Sequence, residues 1–142
     1  MRLLGGVMDA LRQVFTAPWV HGLALLCLCA AYLQGAFDKA RDFPAAVAEM
    51  RRFGLAPAAP LAALTIAFEF MASAMVLSGI YRWLGALMLA AFTALANFLA
   101  DRFWDENGTQ RRMSANAFFE HWGLVGGFIL VAWYDLGGQV GI

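Results

Sequence analysis

Four long apolar blocks leave this chain little choice of fold. Trp19–Ala36 and Trp83–Ala100 are 18 residues each, and Leu61–Ile80 and Ala115–Tyr134 are 20 each. A bilayer hydrocarbon core is about 30 Å thick, and a helix rising about 1.5 Å per residue crosses it in roughly 17–25 residues. The blocks make up just over half of the 142 residues, and the segments between them are too short for a second domain. The chain is 62% hydrophobic and 14% charged, against about 45–50% apolar and about 25% charged in ordinary soluble domains. Four such helices in a soluble protein would lack the polar surface to cover them. The sequence therefore predicts an all-α integral membrane protein. It is a four-helix bundle forming one domain over 1–142, with spans at about 19–36, 61–80, 83–100 and 115–134.

Charge and cysteine content narrow the partners. Ten Lys+Arg balance ten Asp+Glu with no basic block, which argues against a nucleic-acid partner. Cys27 and Cys29 lie two apart inside the first span, so they point to different sides of a helix and cannot pair with each other. They read as small buried apolar residues. The first apolar block starts late and no small-residue cleavage site follows it, so it reads as a retained span rather than a secretory signal.

Two further helices are expected outside the spans. In Arg2–Phe15, Leu4, Val7, Met8, Leu11, Val14 and Phe15 recur at helical spacing, with Arg2, Asp9, Arg12 and Gln13 on the other side. That pattern suits an N-terminal amphipathic helix in the membrane interface. Pro18 and Trp19 then open the first span. Between spans one and two, Asp42 can cap a short interfacial helix with Pro44 in its first turn and Gly54 as its stop. Phe43, Val47 and Met50 share its apolar face, with Glu49, Arg51 and Arg52 away from it. Spans two and three are joined by Gly79–Arg82 as a tight antiparallel hairpin, and Asp105–Arg112 is the one clearly polar loop.

Orientation follows from lysine and arginine. The first and third loops carry seven of them, and the two termini with the second loop carry three. Both termini are thus expected outside the cytoplasm.

The polar residues inside the blocks are the candidate site. Glu69 sits eight residues into span two, at a depth where an ionisable group costs at least about 2.5–3.5 kcal/mol. Thr65 and Ser73 lie one turn to either side, on the same helix face. Span three has a matching stripe of Thr93, Asn97 and Asp101; span four has Asn116, Glu120, Gly123 and Gly127; span one adds Tyr32, Gly35 and Lys39. Antiparallel helices bring these to one end. The expectation is a polar intramembrane pocket formed by Lys39, Glu69, Ser73, Asn97, Asp101, Glu120 and His121. Lys39 is expected within salt-bridge reach of Glu120 or Asp101, and is also a charge partner open to Glu69. His121 has no second histidine or cysteine nearby, so no metal site is expected. Gly123-x-x-x-Gly127 reads as a small-residue contact face between helices, and Trp83, Trp104, Trp122 and Trp133 as interface anchors.

In order along the chain stand Gly35-x-x-x-Lys39, Phe53-Gly54-Leu55 with Pro57, Glu69, Gly79-x-x-Arg82, Phe103-Trp104 and Gly126-Gly127. Over roughly Val20 to Tyr134 this resembles the DoxX family of small four-span membrane proteins. The resemblance implies a helical bundle in the inner membrane of a prokaryote, associated with quinone-linked or redox complexes. Members often carry Lys-Asn where this chain has Glu120-His121, and His where it has Asp101; these departures reverse the local charge.

Three functions fit. The first is a non-catalytic subunit or accessory factor that binds a quinone or lipid-like ligand in the pocket, or docks a soluble or membrane oxidoreductase at the cytoplasmic mouth. The second is an enzyme doing acid/base chemistry on a hydrophobic substrate at Glu69. The third is a purely structural assembly protein. No haem ligand pair, nucleotide glycine motif or nucleophile–base pair is visible, so no cofactor beyond a quinone or lipid is expected.

Overall fold

A computed structural model describes residues 1–138. The described chain is helical throughout, in the order α1 (Arg2–Phe15), α2 (Pro18–Arg41), α3 (Phe43–Arg52), α4 (Ala58–Ser78), α5 (Arg82–Ala100), a single 3₁₀ turn (Phe103–Asp105) and α6 (Gly108–Asp135). Four of these, α2, α4, α5 with the turn after it, and α6, are long and apolar enough to cross a membrane. Each is longer than its apolar block or shifted from it, and in α2 and α6 polar end residues continue the helical hydrogen bonding beyond the block. The largest difference lies before span four. Residues expected in the Asp105–Arg112 loop already belong to α6, which starts at Gly108.

The bundle is a ring. α4 packs between α2 and α5, and α5 packs along the length of α6. The ring closes more loosely between α6 and α2, where Leu28 fills a notch at Gly127; a Cβ on that glycine would lie 2.9 Å from the Leu28 Cδ2. At the other seam a Cβ on Gly85 would lie 2.8 Å from both the Ala72 carbonyl oxygen and the Met75 Cβ, so only glycine lets α5 approach α4 this closely. The main core lies around these seams, from Leu25, Cys29 and Val76 to Leu89 and Phe128.

Local signals set the ends. Pro18 starts α2. The Asp42 carboxylate accepts from the Ala45 amide at 3.3 Å and caps α3. Gly79 ends α4 at φ 84°, a left-handed conformation that costs glycine little. In the hairpin that follows, the Arg82 Nε donates to the Val76 carbonyl at 2.8 Å, satisfying an otherwise free helix-end acceptor. Helix α3 lays Ala46, Val47 and Met50 on the start of α4, around Ala62. Helix α1 has no buried residue, and its apolar side faces no other element.

Span four faces differently from the sequence reading. Asn116, Glu120 and Gly123 are exposed, and the inward line of α6 is Ser114, Phe118, Val125, Phe128 and Ala132. A helix turns to bury its largest apolar side chains, and Phe118 and Phe128 outweigh the stripe of small and polar residues. Of the expected glycine face, only Gly127 meets another helix.

Candidate functional site

The C-terminal end of α2, the first half of α4, the end of α5 and the middle of α6 meet at one end of the bundle, the mouth. There the Lys39 Nζ donates to Glu69 Oε1 at 2.8 Å. The Glu69 side chain is 3% exposed and the Lys39 side chain 21%. This corrects the expected pairing of Lys39 with Glu120 or Asp101, and helix direction explains the change. Side chains on a helix lean toward its N-terminus. Lys39 stands near the C-terminus of α2, so its stem leans into the bundle rather than out to the headgroups. Gly35, one turn deeper, leaves room for it: a Cβ there would lie 3.8 Å from the Lys39 Nζ and 3.6 Å from Glu69 Oε2.

Two cavities meet at this ion pair. The first, of about 360 Å³, lies between α3, α4 and α5. Its wall is largely apolar, with Met50, Phe53, Leu61, Phe68, Phe92 and Leu99 around Lys39 and Glu69. The second, of about 180 Å³, lies between α2, α5 and α6 and is the more polar of the two by its lining side chains. Tyr32, Thr93, Asn97, Asp101 and His121 line it together with the same Lys39 and Glu69. Phe92, Ala96 and Ala100 of α5 line both cavities and form the partition between them.

The polar cavity is held by a chain of bonds from α6 to α5. The Asn97 Nδ2 donates to the Phe118 carbonyl at 2.8 Å. A carbonyl only accepts, so the amide group of Asn97 is oriented by that bond, and its Oδ1 faces His121 Nδ1 at 3.0 Å. Asp101 Oδ2 lies 2.9 Å from the same Nδ1. With two acceptors facing it, Nδ1 is the donor of the imidazole ring. The rings of Phe98, Phe103, Trp104 and Trp122 surround Phe118 at 5.3–5.9 Å and fix its backbone. At the floor, the Tyr32 and Thr93 hydroxyls are hydrogen-bonded to each other, and Thr93 also donates to the Leu89 carbonyl at 2.7 Å.

Five of the seven expected site residues, Lys39, Glu69, Asn97, Asp101 and His121, line the polar cavity. The other two do not. Ser73 is fully buried one turn beyond Glu69 and lines neither cavity, because α4 carries it into the dry core. Glu120 is exposed on the outer side of α6. Glu49, placed by its spacing away from the apolar face of α3, instead borders the first cavity. The aromatic wall of Phe68 and Phe92, with rings 5.5 Å apart, was not singled out. Its only sequence signal is the position of each phenylalanine one residue before a buried polar one, Glu69 and Thr93.

One polar group in the site stands out. Among the described residues Glu69 Oε2 is buried and has no hydrogen-bond partner. Glu69 lines both cavities, and a Cβ on Gly35, which lines only the second, would lie 3.6 Å from Oε2. Leaving such an oxygen unpartnered costs about 1–3 kcal/mol, and the site therefore has unused capacity to accept a proton or a donor.

A DoxX family model matches residues 22–102. The match runs from α2 to the residue after Asp101, and so includes both members of the ion pair and the whole apolar cavity; it leaves out α6 with Glu120 and His121. No curated protein and no solved structure matches the chain. With more than half of its length matched, including the helices that form the ion pair, this multi-pass membrane protein belongs to the DoxX family.

Proposed function

We propose that this protein is a non-catalytic membrane subunit or accessory factor of a quinone-linked or redox system, and that it binds a quinone or similar lipid-like molecule. One observation carries the reading: an apolar cavity of about 360 Å³ ends on a buried lysine–glutamate pair. The volume falls in the range of roughly 300–1,000 Å³ typical of small-molecule sites. The cavity is lined by α4 and α5 side chains that also reach the outer surface: Leu64 is 62% exposed and Leu95 64%. A ligand dissolved in the bilayer can therefore enter sideways between these helices. Its ring or chain would lie against Phe68 and Phe92, and its polar head would meet Lys39. The lysine–arginine asymmetry supports an inner-membrane topology with the mouth in the cytoplasm and both termini periplasmic. The mouth is then where a soluble or membrane oxidoreductase would dock.

The test is native mass spectrometry of protein released from its own membranes. Wild type should retain a quinone or lipid mass. Glu69→Gln, with helical content unchanged by circular dichroism, should lose it, and Glu120→Gln on the outer face should keep it. Equal retention in Glu69→Gln and wild type would leave the pair with a structural role only. An alkaline phosphatase fusion at the C-terminus should be active in this topology.

A further inference from the structure

We propose that the second, polar cavity is a proton-access route, with His121 and Asp101 collecting protons at the mouth and Glu69 as the buried terminus. The proposal concerns the chamber between α2, α5 and α6, and it holds whatever occupies the apolar cavity on the other side of the pair.

Three features carry it. The first is the terminus: Glu69 lines this chamber, and among the described residues its Oε2 is buried without a hydrogen-bond partner. The second is the outer end. Asp101 caps α5, where the chain leaves its apolar block, and the His121 side chain is 39% exposed. Both can trade protons with water at the mouth. The bonds from Phe118 through Asn97 hold the ring with Nδ1 toward Asn97 and Asp101. The third is the space between. At about 30 Å³ per molecule in the liquid, a chamber of about 180 Å³ has room for a short chain of waters. The Lys39 ammonium and the Tyr32, Thr93 and Asn97 side chains on its walls supply the polar contacts such waters need.

The balance of the step is simple. A proton held at His121 passes to water in the chamber and on to Glu69 Oε2, and His121 is replenished from the mouth. The carboxylate becomes a carboxylic acid, Lys39 keeps its charge, and the site gains one positive charge. The titratable groups around Glu69 are Lys39 and Tyr32 from α2, Glu49 from α3, Asp101 at the end of α5 and His121 from α6. Lys39, Asp101 and His121 line the polar side toward the mouth, and of these Lys39 is already paired with Glu69.

Protein in lipid nanodiscs, given a flash-released proton, tests the route by time-resolved infrared spectroscopy. The readout is the rise of the protonated-carboxyl band assigned to Glu69 by its loss in Glu69→Gln. His121→Ala should slow the rise roughly a hundred-fold, within the range of general acid–base effects, and leave its final amplitude unchanged. Added imidazole should restore the rate, which a merely structural role of the ring would not allow. Asp101→Asn, at a helix end that tolerates the change, should also slow the rise and serves as the second variant if His121→Ala does not fold. An unchanged rate in Asp101→Asn, an unchanged rate in folded His121→Ala, or no carboxyl band that depends on Glu69 would overturn the proposal.

Discussion

At the hairpin end α4 and α5 touch so closely that Gly85 has no room for a methyl group, its Cβ position lying 2.8 Å from the Ala72 carbonyl oxygen. At the mouth the same two helices stand apart around about 360 Å³ of cavity. The contrast follows from the residues that face the seam. Near the hairpin these are Ala72, Val76, Gly85 and Ala86, small and buried. Near the mouth they are Phe68, Phe92 and Leu99, whose bulk props the helices apart beside a charged pair. The difference teaches that stability and the candidate site occupy separate halves. Close contact between helices is the main source of cohesion in a bilayer, where lipid is as apolar as a leucine core. The mouth gives up part of that contact to house charge.

The largest expected effect tests whether the ion pair belongs to function rather than to stability. Removing one partner of a buried pair costs about 3–5 kcal/mol, whereas replacing both by apolar residues is often neutral or stabilising. Lys39→Met should therefore lower resistance to unfolding in mild detergent, and adding Glu69→Met should restore it while ligand retention stays lost. A double variant as weak as the single one would mean that the mouth is as structural as the hairpin. Next in size is the close seam. Gly85→Ala forces a methyl group against backbone and should cost about 1–3 kcal/mol. Gly123→Ala, with nothing within 4 Å of its Cβ position, should stay within about 0.5 kcal/mol of wild type. Equal effects of the two substitutions, read by the same unfolding assay, would erase the contrast between the halves. An effect smaller than that of Gly85→Ala lies where the halves join. Tyr32→Phe removes the hydroxyl bonded to Thr93 and should cost about 0.6 kcal/mol, the mean for hydrogen bonds between membrane helices.

Much of this architecture is legible in the sequence. The four spans follow from block length, α3 from Asp42, Pro44 and Gly54, and the hairpin from Gly79–Arg82. The inward direction of Glu69 follows from the cost of exposing a carboxyl group to lipid. The rotation of α6 was not legible. Two inward lines were available to it, and which one is buried depends on how Phe118 and Phe128 fit against α5 and α2. The choice of Glu69 over Asp101 or Glu120 as the partner of Lys39 was not legible for a different reason. Helix alternation brings charges to the same end, but the lean of side chains toward a helix N-terminus decides how deep each one reaches. The division of the pocket by Phe92, Ala96 and Ala100 depends on distances between helices, which no spacing within one helix encodes.

The depth of the lysine–glutamate pair also exposes it to the membrane voltage. Glu69 lies about 12 Å along α4 from Leu61, roughly two-fifths of the way through a hydrocarbon core about 30 Å thick. A full crossing is worth about 2.3 kcal/mol per charge per 100 mV, so a charge at this depth feels about 1 kcal/mol per 100 mV. The intact pair is neutral and nearly blind to that field, whereas the pair with one added proton is not. In the proposed topology the mouth lies on the negative side of the membrane, and voltage would hold the site in its neutral form. A fall in voltage would then shift the balance toward the proposed protonated one.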